Sequence, residues 1–206
     1  VIENGYRPTH GHTDLESRIP TSDRPFNIGF AGRLVPVKRV ETVIKTAKLL
    51  IDAYPELDFH FYIYGDGPLR SKLEELNSSM RTDRIVTFMG HSDRLDEELN
   101  KLDAMILTSE HEGLPMILLE AMSEGIPVIA PAVGGIPSLL ENGKYGRLIY
   151  SNEHTEYADA IHDLYINPIE RTRLADSARM HVTNNYSATA TANAYYEIYK
   201  KYCPGI

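Results

Sequence analysis

Six short apolar runs, each leading into a glycine- or proline-bearing loop and then a helix-like stretch, constrain this chain more than any other feature. The runs are Phe26 to Ala31, Asp58 to Tyr64, Ile85 to Phe88, Ala104 to Leu107, Pro127 to Ala130 and Gly146 to Tyr150. Between them, Lys38 to Ala53 carries Val40, Val43, Ile44, Ala47 and Leu50 on one helical face. Helices are also expected at Pro68 to Ser78, Arg94 to Lys101, Pro115 to Ser123 and, briefly, Pro137 to Leu140. A helical tail follows, near Glu153 to Ile166, Pro168 to Asn184 and Ala188 to Tyr202. Strands alternating with helices imply an α/β fold: an open parallel sheet with helices on both faces. Residues 1–23, rich in Gly, Pro, His and Thr, read as a linker or extended arm, leaving 24–206 as the folded domain.

Composition narrows the function classes. The 206 residues are 42% apolar and 24% charged, as in a soluble globular protein with a real core. No apolar run approaches the roughly 18 residues of a membrane span, and no charged-then-apolar leader opens the chain. A start at Val1 rather than Met suggests a processed chain or a piece of something longer. Cys203 is the single cysteine, so no intrachain disulfide forms and a reducing compartment such as the cytoplasm fits. A net charge of −8 points away from a nucleic-acid-binding body. Basic residues placed in a crevice of so acidic a chain therefore stand out.

Three loops carry chemistry. In Gly29-Phe30-Ala31-Gly32-Arg33-Leu34-Val35-Pro36-Val37-Lys38 a strand ends, a glycine allows close backbone approach, and two cations bracket a tight turn before a helix. Helix N-termini attract anions. Arg33 offers a planar fork and Lys38 a point charge, which together make a diphosphate clamp; a solvated helix start reads equally well from these residues alone. In Tyr64-Gly65-Asp66-Gly67-Pro68 another strand turns into a helix. Arg70 stands where a dinucleotide fingerprint has its third glycine, so this loop reads as a crevice-lining turn rather than a hydride-cofactor site. No Walker-type glycine loop occurs.

The third loop is Thr108-Ser109-Glu110-His111-Glu112-Gly113-Leu114-Pro115, running into Leu119-Glu120-Ala121-Met122 and Gly125-Ile126-Pro127-Val128-Ile129. Glu112 lies at the carboxyl end of a strand, where open α/β sheets bind ligands, and Glu120 lies on the next helix. Backbone N–H groups of Gly113 and Leu114 would meet hydroxyls or phosphate oxygens, Pro115 suits a first helical turn, and Glu120 would take both hydroxyls of a ribose. Glu120 also fits an ordinary helix carboxylate paired with a neighbour. Glu110-His111-Glu112 raises a metal site, but no second histidine lies one turn away, and neither His-Glu-x-x-His nor Asp-x-Asp occurs.

These stretches, in this order, resemble the C-terminal, nucleotide-sugar-binding half of a GT-B glycosyltransferase of the GT4 type, the glycosyltransferases group 1. Val1-Ile2-Glu3-Asn4-Gly5 resembles the interdomain V-I-P-N-G segment, and Gly32 to Lys38 resembles G-R-L-x-x-x-K. Tyr64 to Pro68, Phe88-Met89-Gly90, Ser109-x-x-Glu112-Gly113-x-Pro115 and Glu120-Ala121-Met122 follow, with seven residues between Glu112 and Glu120 as in the family's two-glutamate signature. Gly125-x-Pro127-Val128-Ile129 and Gly134-Gly135-Ile136-Pro137 complete the set. The resemblance implies a Rossmann-like sheet and transfer of a hexose-like sugar from a UDP-, GDP- or ADP-linked donor. It further implies retention of configuration, no cofactor and no essential metal.

It also implies roles. Arg33 and Lys38 would hold the donor diphosphate and stabilise the leaving group. Glu112, with the backbone of Gly113, Leu114 and Pro115, would contact the sugar, and Glu120 the ribose. The Phe88-Met89-Gly90 turn would lie along the base, with Gly65, Gly67 and Pro68 nearby, and Gly32 would also contact the nucleotide sugar. The acceptor would sit on an N-terminal domain outside these residues, so the chain alone would be inactive. In the longer enzyme, polysaccharide or glycolipid assembly and peripheral association with the cytoplasmic face of a membrane are expected.

Arg39 departs from the family's glycine, Ser138 from its glutamate and Glu3 from its linker proline. Two other classes remain: a non-catalytic nucleotide-sugar-binding or scaffold module, and a flavodoxin-like regulatory domain that would bind no nucleotide diphosphate. The tyrosines at 195, 196, 199 and 202 belong to a last helix resembling the one that crosses back toward the N-terminal domain.

Overall fold

The protein is described by a computed structural model covering residues 24–202. The expected arm 1–23, with its Val1 to Gly5 segment, and Cys203 lie outside the described residues. Six strands form one sheet: β1 (Phe26–Ala31), β2 (Phe59–Tyr64), β3 (Val86–Gly90), β4 (Ala104–Ile106), β5 (Val128–Pro131) and β6 (Arg147–Ile149). Their order is β3-β2-β1-β4-β5-β6, every pair is parallel, and β1 runs in register with β2 from Phe26↔Phe59 to Ala31↔Tyr64. The strand order steps outward from β1 in one direction and from β4 in the other. Right-handed crossovers therefore place the connecting helices on opposite faces.

The helices are α1 (Val40–Ala53), α2 (Arg70–Ser79), α3 (Leu95–Leu99), α4 (Met116–Ser123), α5 (Ile136–Leu139), α6 (His154–Ile166), α7 (Pro168–Asn185) and α8 (Ala188–Tyr202). Helix α1 packs against α2 and α6, while α4 packs against α7. The face of α1 expected from its apolar spacing is the buried one, and Thr42 and Thr46 join it. Thr46 is accommodated because its hydroxyl donates to the carbonyl of His154 at the start of α6. Burial of each Ile, Leu or Phe in this core contributes about 1.5–3 kcal/mol. At the amino edge, Arg24 grips both oxygens of buried Asp103 at 2.7 and 2.8 Å, and Asp103 also accepts from the N–H of Asn27. The starts of β1 and β4 are thereby joined by a two-pronged charged bond.

Two expectations need correction. Helix α1 does not run from Lys38: Pro36–Lys38 forms a separate 3-10 turn, and Arg39 breaks the path with φ 46° and ψ 45° before α1 begins at Val40. Phe88-Met89-Gly90 is not a turn but the end of β3, which the chain leaves only at Gly90. Other boundaries shift by one or two residues, as at Leu95–Leu99, where the helix is shorter than the charged run around it.

A side chain in the left-handed region strains Arg39 by about 1–2 kcal/mol, part of which glycine would forfeit through its looser unfolded state. Arg39→Gly is expected to raise the unfolding free energy by about 0.5–1 kcal/mol in denaturant titrations. A fall would show that the contacts of Arg39 with Glu41 at 3.9 Å and Glu110 at 4.0 Å outweigh the strain.

Candidate functional site

Because all strands run parallel, the loops after β1, β2, β3 and β4 emerge from one edge. The strand order reverses between β1 and β4, where such sheets open a crevice. Backbone bonds carry the pairing past the sheet. The N–H of Gly32 donates to Tyr64, that of Leu34 to Asp66, and that of Gly65 to Gly90, at 3.0, 2.9 and 2.7 Å. This packing demands glycine at position 65: φ is +123°, and a Cβ there would lie 2.0 Å from the Gly32 carbonyl oxygen.

An open crevice of about 400 Å³ results, lined by Ala31, Gly32, Arg33, Tyr64, Gly65, Asp66, His91, Ser92 and Leu95. That is the size of a small-molecule site. Arg33 is exposed on its wall and makes no ion pair among the described residues. A second hollow, at the opposite edge beside Asp103 and Arg171, has about 20 Å³, room for roughly one water.

On the β4 side stands the other half of the site. Lys38 Nζ donates to Glu112 Oε1 at 2.5 Å, and Ser109 Oγ donates to the same oxygen at 2.7 Å. Side-chain exposures of 23% for Lys38 and 11% for Glu112 make this a half-buried pair, stronger than a surface one. Oε2 of Glu112 accepts no hydrogen bond among the described residues. Two bonds lock the loops that carry the pair: Thr108 Oγ1 donates to the Lys38 carbonyl at 2.7 Å, and the Glu110 N–H to Val37 at 2.8 Å. The Gly134-Gly135 turn after β5 presses on the same loop. Gly134 has φ +55°, and a Cβ there would sit 1.7 Å from the Glu112 carbonyl oxygen. Gly135 N–H donates to the Gly113 carbonyl at 3.0 Å.

Glu120, on α4, is half-buried, and its carboxyl is held above the usual range, chiefly by burial and then by the charge of Asp96 on α3. Its carboxylate makes no hydrogen bond or ion pair among the described residues.

The sequence-predicted residues thus fall into three sets. Gly32, Arg33 and Gly65 line the crevice. Lys38 and Glu112 meet each other beside it, and exposed Gly113 continues that turn. The rest serve the frame or its rim. Gly67 packs on the backbone of Leu34, Leu114 packs on the core, Pro115 is buried as the residue preceding α4, and Pro68 is exposed. Met89 is 43% exposed at the end of β3 beside Gly90. Sequence reasoning missed His91, Ser92 and Leu95 as lining residues; only their position just after Gly90 could have signalled them. It gave Ser109 no role of its own. Among the described residues no three His, Cys, Asp or Glu side chains converge as metal ligands, Glu110 and His111 included.

Comparison with known proteins settles the family. The description "Glycosyl transferases group 1" matches residues 13–181. The chain belongs to that family. Its fold is that of the C-terminal domain of a GT-B protein. A D-inositol 3-phosphate glycosyltransferase of Corynebacterium urealyticum is 32% identical over 183 residues, covering 84% of this chain and 42% of that protein. The chain thus spans under half the length of this relative. The C-terminal domain of a group 1 family protein from Francisella tularensis superposes with a TM-score of 0.71 at 24% identity, over 85% of this chain and 99% of that domain. Anabaena HepE, solved in complex with UDP, gives a TM-score of 0.79 at 21% identity, over 86% of this chain and 49% of HepE. At such identities the two structures show the shared fold.

The Glu120 carboxyl has a testable consequence. Its pKa is raised on folding, so the folded chain binds the proton more readily and stability contributed at this site falls as pH rises through the shifted value. Glu120→Gln is therefore expected to raise the Tm near neutral pH and to leave it unchanged at about pH 3, below the ordinary glutamate range, where the carboxyl is protonated in both states. A Tm gain equal at both pH values would contradict this origin.

Proposed function

We propose that the chain is the donor-binding domain of a retaining glycosyltransferase that transfers a hexose-like sugar from a nucleotide diphosphate sugar. The observation that carries this reading is the pairing of an unopposed, crevice-lining Arg33 with the half-buried Lys38–Glu112 pair across the β1/β4 reversal. The nucleoside would lie in the crevice past β1, β2 and β3, with Met89 and Gly90 at the base end and Glu120 accepting from the ribose diol. The diphosphate would sit between Arg33 and Lys38. Fixed cations there favour the charge that develops on the leaving group. Glu112 Oε2 and the Gly113 N–H would meet sugar hydroxyls.

The complex of the Anabaena neighbour with UDP supports a uridine donor. An acceptor-binding domain would lie outside these residues, in keeping with the 42% share of the Corynebacterium relative that the chain spans. Residues 1–23 would be the link to it. The reaction as proposed needs no resident metal or cofactor, and a cytoplasmic setting, at or near a membrane face, suits such donors. No helix among the described residues is long and apolar enough to cross a membrane.

Calorimetric titration with UDP, GDP, ADP and their glucose conjugates tests the reading. One nucleotide is expected to bind, and Arg33→Ala to weaken it about 10- to 100-fold, the loss of one charge-assisted bond to phosphate. Absence of binding, or binding indifferent to Arg33→Ala, would contradict it.

A further inference from the structure

The turn that carries Glu112 is held from behind by a segment that does not line the crevice. The chain leaves β6 through Tyr150, Ser151 and Asn152 before α6 starts at His154. Asn152 adopts φ +56°, a conformation asparagine tolerates better than most residues with a side chain. Its amide nitrogen reaches back across 44 positions to share its hydrogens between the carbonyls of Thr108 and Ser109, each at 3.4 Å. Its amide oxygen accepts from the Tyr157 hydroxyl at 2.7 Å.

Tyr157 is fully buried, and burial pushes its phenol well above the ordinary range, so it stays a neutral donor. An aliphatic side chain would fill the same space without burying a hydroxyl that needs a partner. The hydroxyl fixes which end of the Asn152 amide faces the two carbonyls, since a donor to Oδ1 directs the NH2 group at Thr108 and Ser109. Those carbonyls belong to the turn whose Ser109 Oγ holds Glu112. Further along this segment, the His154 carbonyl accepts from Thr46 of α1, the helix that follows Lys38. One short stretch, 152–157, therefore touches the supports of both members of the Lys38–Glu112 pair.

We infer that Asn152 and Tyr157 are positioning residues that fix the Ser109-to-Gly113 turn so that Glu112 faces the donor sugar; the sugar part of this inference rests on the nucleotide-sugar reading above. Neither residue touches the ligand. Tyr157→Phe removes the hydroxyl while keeping the packing, and Asn152→Asp keeps the shape and the Tyr157 bond while turning a second oxygen toward the carbonyls.

Hydrogen exchange on the chain without ligand reads the turn directly, and titrations with UDP and UDP-glucose read its consequence. In both variants the amide of Glu110, which donates to the Val37 carbonyl at 2.8 Å, is expected to exchange about tenfold faster, while those of β1 and α1 stay within about twofold of the unsubstituted chain. Affinity for UDP-glucose is expected to fall about tenfold relative to UDP, because the displaced Glu112 carboxylate bonds the sugar and not the nucleotide. Unchanged exchange at Glu110, or a rise spread equally over the sheet and α1, would overturn the inference, as would equal losses for UDP and UDP-glucose. If the unsubstituted chain bound neither compound while the exchange pattern held, the nucleotide-sugar reading would fail and the brace on Glu112 would stand.

Discussion

Parallel pairing is the constraint on which the rest of this molecule depends. With six strands pointing one way, every strand-to-helix loop opens at the same edge, and the strand order reverses between β1 and β4, where such sheets bind ligands. Loops far apart in sequence can then share one small space. The Lys38 and Glu112 loops interlock through Thr108 and Glu110, and the loops after β1, β2 and β3 zip side by side through Gly32, Leu34 and Gly65.

Such close packing of backbones explains the glycines that punctuate the chain. Gly65 and Gly134 each combine positive φ with a neighbour's carbonyl oxygen where a Cβ would have to lie, so the motif glycines hold loops together rather than merely allowing turns. Charge is treated in a similarly local way. The chain is acidic overall, yet Arg33 faces the crevice without an ion pair among the described residues, and Lys38 is neutralised by Glu112 alone. A polyanion entering the crevice would meet one ready cation. A second would be released as Glu112 exchanged Lys38 for a hydroxyl partner. Glu120 carries the opposite arrangement, a carboxylate kept in a half-buried place at some expense of stability.

Much of this was legible in the sequence. Apolar runs bounded by Gly and Pro marked the six strands, and the spacing of Val40, Val43, Ile44, Ala47 and Leu50 marked the buried face of α1. The collinear motifs pointed to Arg33, Lys38 and Glu112, which the fold brings to one edge. Local conformation was harder to read. Arg39 breaks the helix start because Pro36–Lys38 closes its own turn, and nothing in the periodicity of Lys38 to Ala53 announces that. Gly90 ends β3 rather than forming a turn with Phe88 and Met89, since β3 bulges opposite Ile63 and Tyr64 before it stops. His91, Ser92 and Leu95 line the crevice through the path of the chain after β3, and the Asn152–Tyr157 brace arises from a hydrogen bond across 44 positions. Tertiary proximity of that kind leaves no periodic trace.

The most direct measurement is a crystal structure of this chain soaked with UDP-glucose. The account predicts the diphosphate within hydrogen-bond reach of both the Arg33 guanidinium and Lys38 Nζ, the Lys38–Glu112 pair opened, and Glu112 on a sugar hydroxyl. A nucleotide bound elsewhere, or bound in the crevice with Lys38 still on Glu112 and no phosphate near Arg33, would contradict it.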